Sequence, residues 1–127
     1  MDEYDNVLKE KDQEKRIDIV LTDAYGEDEQ QAAFCCYLDD YTSFPFKAKI
    51  RDESNSKIFT VLRFTSITPH RVVCEVDIDG TKSRMPITEI EPIKKDSPNE
   101  IVISDYLKFI GELWNENQKK RENSGRN

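Results

Sequence analysis

The sequence predicts an α+β fold in which an acidic N-terminal helix and a C-terminal helix flank a small, bent, SH3-like sheet or barrel of four to five antiparallel strands. Three observations lead to this prediction: a helical stripe of apolar residues in the first half, short β-branched runs with tight turns in the middle, and a second helical stripe near the end. The 127 residues suffice for one hydrophobic core. We place that domain at residues 17–117.

Charged segments border this domain on both sides. Residues 1–16 carry six acids and four bases among few apolar side chains, and residues 118–127 are polar apart from one glycine. Segments of this composition have too little apolar surface to offset the entropy of folding. We therefore predict a charged N-terminal arm at 1–16 and a polar C-terminal tail at 118–127, each of them a solvated arm or a frayed helix rather than part of the core.

The first helix is predicted over residues 23–40, and no glycine or proline interrupts residues 27–41. Asp23 stands at the predicted N-cap, where an acid is favoured by the free N–H groups. Pro45 cannot continue a helix and biases Phe44 to an extended backbone. The buried stripe at i, i+3, i+4 and i+7 consists of Phe34, Tyr37, Leu38 and Tyr41.

The strands are predicted from short runs rich in apolar, β-branched and aromatic residues. The runs cover residues 46–50, 57–64, 71–78 and 82–87, with Ile90 and Ile93 after them. Asp79-Gly80 predicts a hairpin turn between the third and fourth runs. Such closely spaced strands predict a strongly bent sheet or a small SH3-like barrel.

The last helix is predicted from Asp105 to about Asn117, with Ser104 as its cap. Apolar residues recur on one side of this segment at helical spacing, and they predict its buried face: Ile103, Leu107, Ile110 and Trp114.

The net charge of the chain comes from one segment, residues 17–46. Seven acids lie there without a lysine, arginine or histidine, whereas the rest of the chain holds 19 acids and 19 bases. Uncompensated carboxylates repel one another. One interpretation is a solvated helix face, and the other is a site that a bound cation neutralises.

Several function classes are disfavoured by composition. An acidic chain lacks the positive surface that nucleic acids require, and no apolar run is long enough to cross a membrane. Three cysteines, two of them adjacent, do not form a disulfide framework. With one histidine and no nucleophile–base pattern or phosphate-binding loop, we predict a cytoplasmic monomer that is not an enzyme.

The cation interpretation depends on where the acids stand in the predicted helix. Asp39 and Asp40 fall at its C-terminal end, where the helix dipole disfavours negative charge. Asp23 and Glu27 are four residues apart near its start. A set of carboxylates and helix-end carbonyls suits Ca²⁺, which takes six to eight oxygens in irregular geometry.

A long run of residues resembles a known family. Asp23-Ala-Tyr-Gly-Glu27 opens the helix, Leu38-Asp-Asp40 closes it, and Phe44-Pro-Phe46 follows; further along come Arg84-Met-Pro-Ile87 and Ile90-Glu-Pro92. This pattern is similar to that of the CcbP-like calcium-binding proteins, a small bacterial family first described in cyanobacteria. The similarity covers residues 18–93.

The resemblance implies a Ca²⁺-binding protein that acts as a buffer or a sensor in calcium signalling, without EF-hand motifs and without catalysis. It implies Asp39 and Asp40 as the first ligands and Asp23, Glu27 and Glu29 as the next, with the acids of both helix ends near the metal. The chain departs from the family pattern at Cys35-Cys36.

An alternative function remains open, in which the domain is an SH3-like protein-interaction module. A regulatory protein partner with a basic segment would then dock on the acidic helix. The aromatic residues expected to be exposed on that surface are Tyr41, Phe44 and Phe46.

Overall fold

The structure is a computed structural model that describes residues 7–68 and 71–124, with the backbone alone for residues 114–124. Helices α1 (Gln13–Val20) and α2 (Glu27–Tyr41) come first. Helix α3 (Pro98–Ser124) comes last. The strands between α2 and α3 are β1 (Phe46–Ile50), β2 (Phe59–Thr68), β3 (Arg71–Ile78), β4 (Thr81–Pro86) and β5 (Ile90–Pro92).

The strands form an open antiparallel sheet. In the described chain the sheet has five strands in the order β4-β3-β2-β1-β5, so β4 and β5 are its edges and do not pair with each other. The α+β class and the antiparallel sheet are confirmed. The barrel was a wrong prediction, because the hydrogen-bonded ladder does not close.

The sheet is nevertheless bent, as a comparison of two lengths shows. Edge strands of a flat five-stranded sheet are about 19 Å apart at the usual strand spacing. The chain passes from Pro86 to Ile90 in four residue steps, which reach at most about 14 Å, through a 3₁₀ turn at Ile87–Glu89. Register shifts in β2, between Val61 and Arg63 and between Phe64 and Ser66, supply local bends.

The core lies between the inner face of the sheet and the helices. The stripe predicted for α2 is confirmed, since Phe34, Tyr37 and Leu38 are fully buried and Tyr41 is partly buried against them. The ring of Phe34 stacks on Phe109 of α3, with centroids 4.3 Å apart. The sheet contributes alternate residues of β3 to this core, namely Val72, Cys74 and Val76.

Two residues of the predicted N-terminal arm are buried, whereas residues 8–15 are partly or fully exposed. Val7 is fully buried, and Arg16 in α1 is buried as well. Composition had indicated a solvated segment, because Arg16 and its charged neighbours cannot be buried without partners. The partners come from the other end of the chain; residues 1–6 lie outside the described residues.

A buried polar network joins α1, α2 and α3 around the fully buried carboxylate of Asp105. The guanidinium of Arg16 donates to both oxygens, at 2.8 and 3.0 Å. The Tyr37 hydroxyl donates at 2.9 Å, and Gln13 Nε2 donates at 3.1 Å. Hydrogen bonding to Asp105 raises the pKa of Arg16, and burial together with the Asp105 carboxylate raises the pKa of Tyr37.

Helix α3 begins seven residues before the predicted start at Asp105. The Ser97 hydroxyl accepts a hydrogen bond from the N–H of Glu100, and the Glu100 carboxylate accepts one from the N–H of Asp96. With Pro98 in the first turn, this resembles a capping box, except that Glu100 bonds the N–H of Asp96 instead of that of Ser97. The predicted buried face is confirmed for Ile103, Leu107 and Ile110, whereas the side chain of Trp114 lies outside the described residues.

The hydrogen bond between Ser97 and the N–H of Glu100 leads to a stability prediction. Replacing Ser97 with alanine leaves the N–H of Glu100 without its acceptor, so we expect a loss of about 1 kcal/mol of unfolding free energy. Urea unfolding followed by circular dichroism measures it. Ser54→Ala, in the exposed loop between β1 and β2, is the control and should change little. Equal midpoints for the two variants would show that the cap does not stabilise α3.

The end of α3 also differs from the prediction. The helix runs to Ser124, through most of the segment predicted as a tail. Residues 125–127 lie outside the described chain. None of the described helices combines the length and the apolar character that crossing a bilayer requires.

Candidate metal centre

Helix α2 carries the predicted metal ligands in two groups at its opposite ends. Glu27 and Glu29 are in its first turn, with Asp23 in the loop before it, and Asp39 and Asp40 are in its last turn. A helical rise of 1.5 Å per residue separates Glu27 from Asp39 by about 18 Å. One calcium ion, whose ligand distances are about 2.3–2.6 Å, cannot be held by both groups of the same chain.

At the N-terminal end, the acids serve the helix itself. The residue at the N-cap is Gly26, with φ of 89°, rather than Asp23. Glu29, three residues later, accepts a hydrogen bond from the N–H of Tyr25 at 2.8 Å. Glu27, Asp28 and Glu29 lie where the helix dipole favours negative charge. Part of the charge at this end is therefore stabilised by the fold.

Two of the predicted ligands share a cavity beside this end of the helix. Asp23 and Glu29 line a space of about 260 Å³ between the end of α1 and the first half of α2. The cavity wall also includes Thr22, Ala33 and Cys36. Asp23 and Glu29 thus border a common volume that exceeds the size of an ion with its water.

At the C-terminal end, the acids lack local compensation. Asp39 and Asp40 are exposed, and the last turn of α2 contains no basic residue. Within the described residues, neither carboxylate has an ion-pair or hydrogen-bond partner. The negative end of the helix dipole adds to their mutual repulsion. Asp39 and Asp40 therefore have fewer compensating interactions than the acids at the N-terminal end of α2.

The backbone beside this pair adds a further oxygen. Thr42 N–H closes the helix on the carbonyl of Leu38. The next N–H, of Ser43, donates to Asn99 Oδ1 at 2.8 Å instead of continuing the helix. The carbonyl of Asp39 is consequently left without its helical donor. In the described chain, the buried hydroxyl of Thr42 also has no hydrogen-bond partner.

These donors fit a hard cation in kind but do not form a finished cage. In the described part of the chain, no three aspartate, glutamate, histidine or cysteine side chains come together in a metal-holding arrangement. Each helix end offers two or three carboxylates, and backbone carbonyls or water would complete the coordination. All-oxygen donors suit Ca²⁺ or Mg²⁺ rather than a soft metal.

The aromatic residues proposed for a docking surface are not freely exposed. Tyr41, Phe44 and Phe46 are partly buried and pack against the core. The ring of Phe44 lies 4.9 Å from that of Phe64 and 5.7 Å from that of Phe46. Among the residues whose side chains the structure describes, the exposed aromatic is Tyr25, which is 78% exposed beside the acidic first turn of α2.

Comparisons with known proteins place the chain in a family. A family model described as "Calci_bind_CcbP: Calcium binding" matches residues 15–110. No curated protein matches the chain. The crystal structure of Anabaena CcbP is 26% identical, with a TM-score of 0.62, and the match covers 80% of this chain and 92% of that one.

A second solved structure, described as a calcium binding protein in the calcium-binding form, shares the fold. Its TM-score is 0.64 at 24% identity, over 88% of this chain and 97% of the other. The family is one of calcium-binding proteins rather than a known enzyme family. The match over most of the chain, together with the acidic helix α2 and the open sheet, shows that this chain belongs to the CcbP family.

Proposed function

We propose that this protein binds Ca²⁺ through carboxylates of the acidic helix α2, and that it acts as a calcium buffer or sensor. Asp39 and Asp40 are the principal ligands in this proposal. The observation that carries it is their position: two adjacent, exposed carboxylates at the negative end of a helix, without a basic residue in that turn.

The chemistry of this end supports a hard divalent ion. The two carboxylates would supply up to four oxygens, and the Asp39 carbonyl, left without its helical donor, would supply another. Water would occupy the remaining positions, as in many calcium sites. Bound Ca²⁺ supplies positive charge, which would remove the repulsion between the carboxylates and complement the helix dipole.

A second set of ligands at the other end of α2 belongs to the same proposal. Asp23 and Glu29 line one cavity, and Glu27 stands in the first turn beside them. Because Glu29 already accepts the Tyr25 N–H, binding here would use its second oxygen or displace that bond. We therefore expect weaker calcium binding at this end than at Asp39 and Asp40.

Replacing Asp39 and Asp40 together with asparagine tests the principal site. At a calcium concentration one hundred times the dissociation constant, binding adds about 2.7 kcal/mol of stability, and we expect the double variant to lose most of it. Without calcium, the variant should be as stable as the parent or slightly more so, because charge at the negative end of the helix is removed. Calorimetric titration and thermal unfolding measure both effects.

The distance between the helix ends makes the two groups separately testable. A triple variant, Asp23→Asn with Glu27→Gln and Glu29→Gln, removes the other group about 18 Å away. The matched control is Asp52→Asn with Glu53→Gln, an adjacent exposed pair outside the acidic segment. The proposal predicts the largest loss for Asp39 and Asp40 and no loss for the control. Equal calcium responses in the parent and the Asp39/Asp40 variant would refute the principal site.

Repeating the titration in millimolar Mg²⁺ separates calcium-specific binding from general divalent binding. A sensor would bind at about 10⁻⁷ to 10⁻⁵ M and keep that affinity in Mg²⁺. Amide spectra with and without calcium distinguish a sensor from a buffer, since a sensor changes conformation beyond the ligating turn. Shifts confined to the residues around Asp39 would indicate a buffer.

Docking of a basic partner is the second candidate function. The exposed ring of Tyr25 lies beside three consecutive acids of α2, a combination that suits a cationic peptide with an aromatic or aliphatic contact. Such binding would weaken with salt and persist in a chelator. Loss on Tyr25→Ala, with calcium binding unchanged, would support a docking role.

A further inference from the structure

Two arginines stand apart from the others in the described chain. Arg16 pairs with Asp105, Arg63 with Glu75, and Arg51 donates to the carbonyl of Ile90. The guanidinium groups of Arg71 and Arg84 have neither an ion pair nor a hydrogen bond among the described residues. Both line one cavity of about 280 Å³.

The register of the sheet explains why these two arginines line the same cavity. Ser66, Val73 and Pro86 stand side by side on β2, β3 and β4. Side chains two residues apart on a strand lie on the same face of a sheet. Arg71 is two residues from Val73 and Arg84 is two residues from Pro86, so both arginines lie on the face of that row. Because the strands are antiparallel, Arg71 and Arg84 lie on opposite sides of the row along the strand direction. This is the outer face, because Val72, Cys74 and Val76 occupy the buried one.

A β-bulge shapes the floor of this cavity. The β2–β3 register shifts between Phe64 and Ser66, which leaves Thr65 as the inserted residue. The Thr65 hydroxyl donates to the carbonyl of Val73 at 3.2 Å, and Ser66 is exposed at the rim. Val73 and Pro86 form an apolar wall beside the two arginines.

Neighbouring acids do not neutralise the pair. Glu75 is directly opposite Arg84 in the ladder, but its carboxylate contacts Arg63 at 3.3 Å. The cavity lining contains no aspartate or glutamate among the described residues. Two positive charges therefore face an open, partly apolar space on a protein whose net charge is −7.

We propose that this cavity, lined by Arg71, Arg84 and Ser66, is an anion site for the phosphate of a phosphomonoester. Two guanidinium forks match the charge and the oxygen geometry of a phosphate dianion, and the Ser66 hydroxyl adds a donor. The apolar wall would contact the esterified group. The site is on the opposite side of the sheet from the core that α2 packs on, so it does not rest on the proposed calcium function.

Titration of calcium-free protein with inorganic phosphate, followed by amide NMR, tests this site. We expect saturable shifts at Ser66, Val73, Arg84 and Met85. Arg71→Gln with Arg84→Gln should weaken phosphate binding about tenfold or more, because charge-assisted hydrogen bonds are lost. Lys82→Gln, which removes an exposed positive charge from β4 outside the cavity lining, is the control and should bind as the parent does.

Vesicle sedimentation then identifies the source of the phosphate. Phosphatidic acid in phosphatidylcholine vesicles presents the phosphomonoester as a lipid headgroup. Vesicles of phosphatidylcholine alone are the control. Binding that requires phosphatidic acid and the two arginines supports a lipid source, and absence of sedimentation alongside saturable phosphate binding supports a soluble ester. Phosphate shifts that do not saturate, or that are equal in the double variant, would overturn the proposal.

Discussion

Replacing Asp105 with alanine is expected to destabilise the folded protein by about 3–5 kcal/mol, the range for breaking a buried ion pair. The carboxylate is fully buried and accepts hydrogen bonds from Arg16, Tyr37 and Gln13. Without it, the charge of Arg16 would remain in the core without its partner. Denaturant unfolding, followed by the far-ultraviolet signal, gives the free-energy difference.

A double variant separates the cost of an unpaired charge from the cost of lost packing. Arg16→Met with Asp105→Leu removes both charges and keeps apolar volume, so its stability should lie well above that of Asp105→Ala. Tyr37→Phe removes one hydrogen bond and should cost about 1 kcal/mol. If Asp105→Ala were as stable as the parent, the network would not hold the three helices together.

Replacing Phe34 with alanine should also cost about 3–5 kcal/mol, the range for truncating a buried aromatic residue. Its ring is fully buried, stacked on Phe109 at 4.3 Å and edge-on to Tyr37 at 5.9 Å. The truncation would leave a cavity between α2 and α3. Thermal and denaturant unfolding measure the loss.

The matched control for Phe34 is an aromatic residue just before the same helix. Tyr25 is 78% exposed, and Tyr25→Ala should change stability by less than about 0.5 kcal/mol. Below its melting temperature, Phe34→Ala should keep its calcium affinity, because the proposed ligands lie at the helix ends rather than in the packed middle. Equal losses for the two variants would contradict the burial of Phe34.

The elements that the sequence predicted well are those defined by local patterns. The stripe of α2 has a helical period, and the hairpin at Asp79-Gly80 has the residues that its turn requires. Positive φ at both turn residues agrees with that choice. The start of α3 also has a local pattern, since Ser97 and Glu100 have capping-box spacing, and the prediction of Ser104 as the cap is wrong because the helix begins at Pro98.

Features that depend on residues far apart in the sequence cannot be predicted from local patterns. Arg16 and Asp105 are 89 residues apart in sequence, so neither could be assigned to the core from composition. Closure of a barrel depends on whether two edge strands pair, which strand patterns alone do not decide. The placement of Arg71 and Arg84 around one cavity depends on a register that contains a bulge.

The candidate calcium ligands were found because charge and position coincide in one short segment. The separation of the two acidic groups follows from the predicted helix, whereas the family resemblance implies that both lie near one metal. A continuous helix of 15 residues keeps them apart. The ligand assignment therefore stays a prediction, now divided into two independently testable groups.

The two open edges of the sheet have a consequence for solubility. Each bound Ca²⁺ would cancel two negative charges of a protein that carries −7, and lower net charge favours aggregation. Unpaired strand edges are the usual starting points for it. Here β4 carries Lys82 and Arg84, and β5 has three residues and ends in Pro92. The positive charges of β4 disfavour pairing with a further strand. The short length of β5 and the missing N–H of Pro92 do the same at the other edge, so the calcium-loaded protein should remain dispersed.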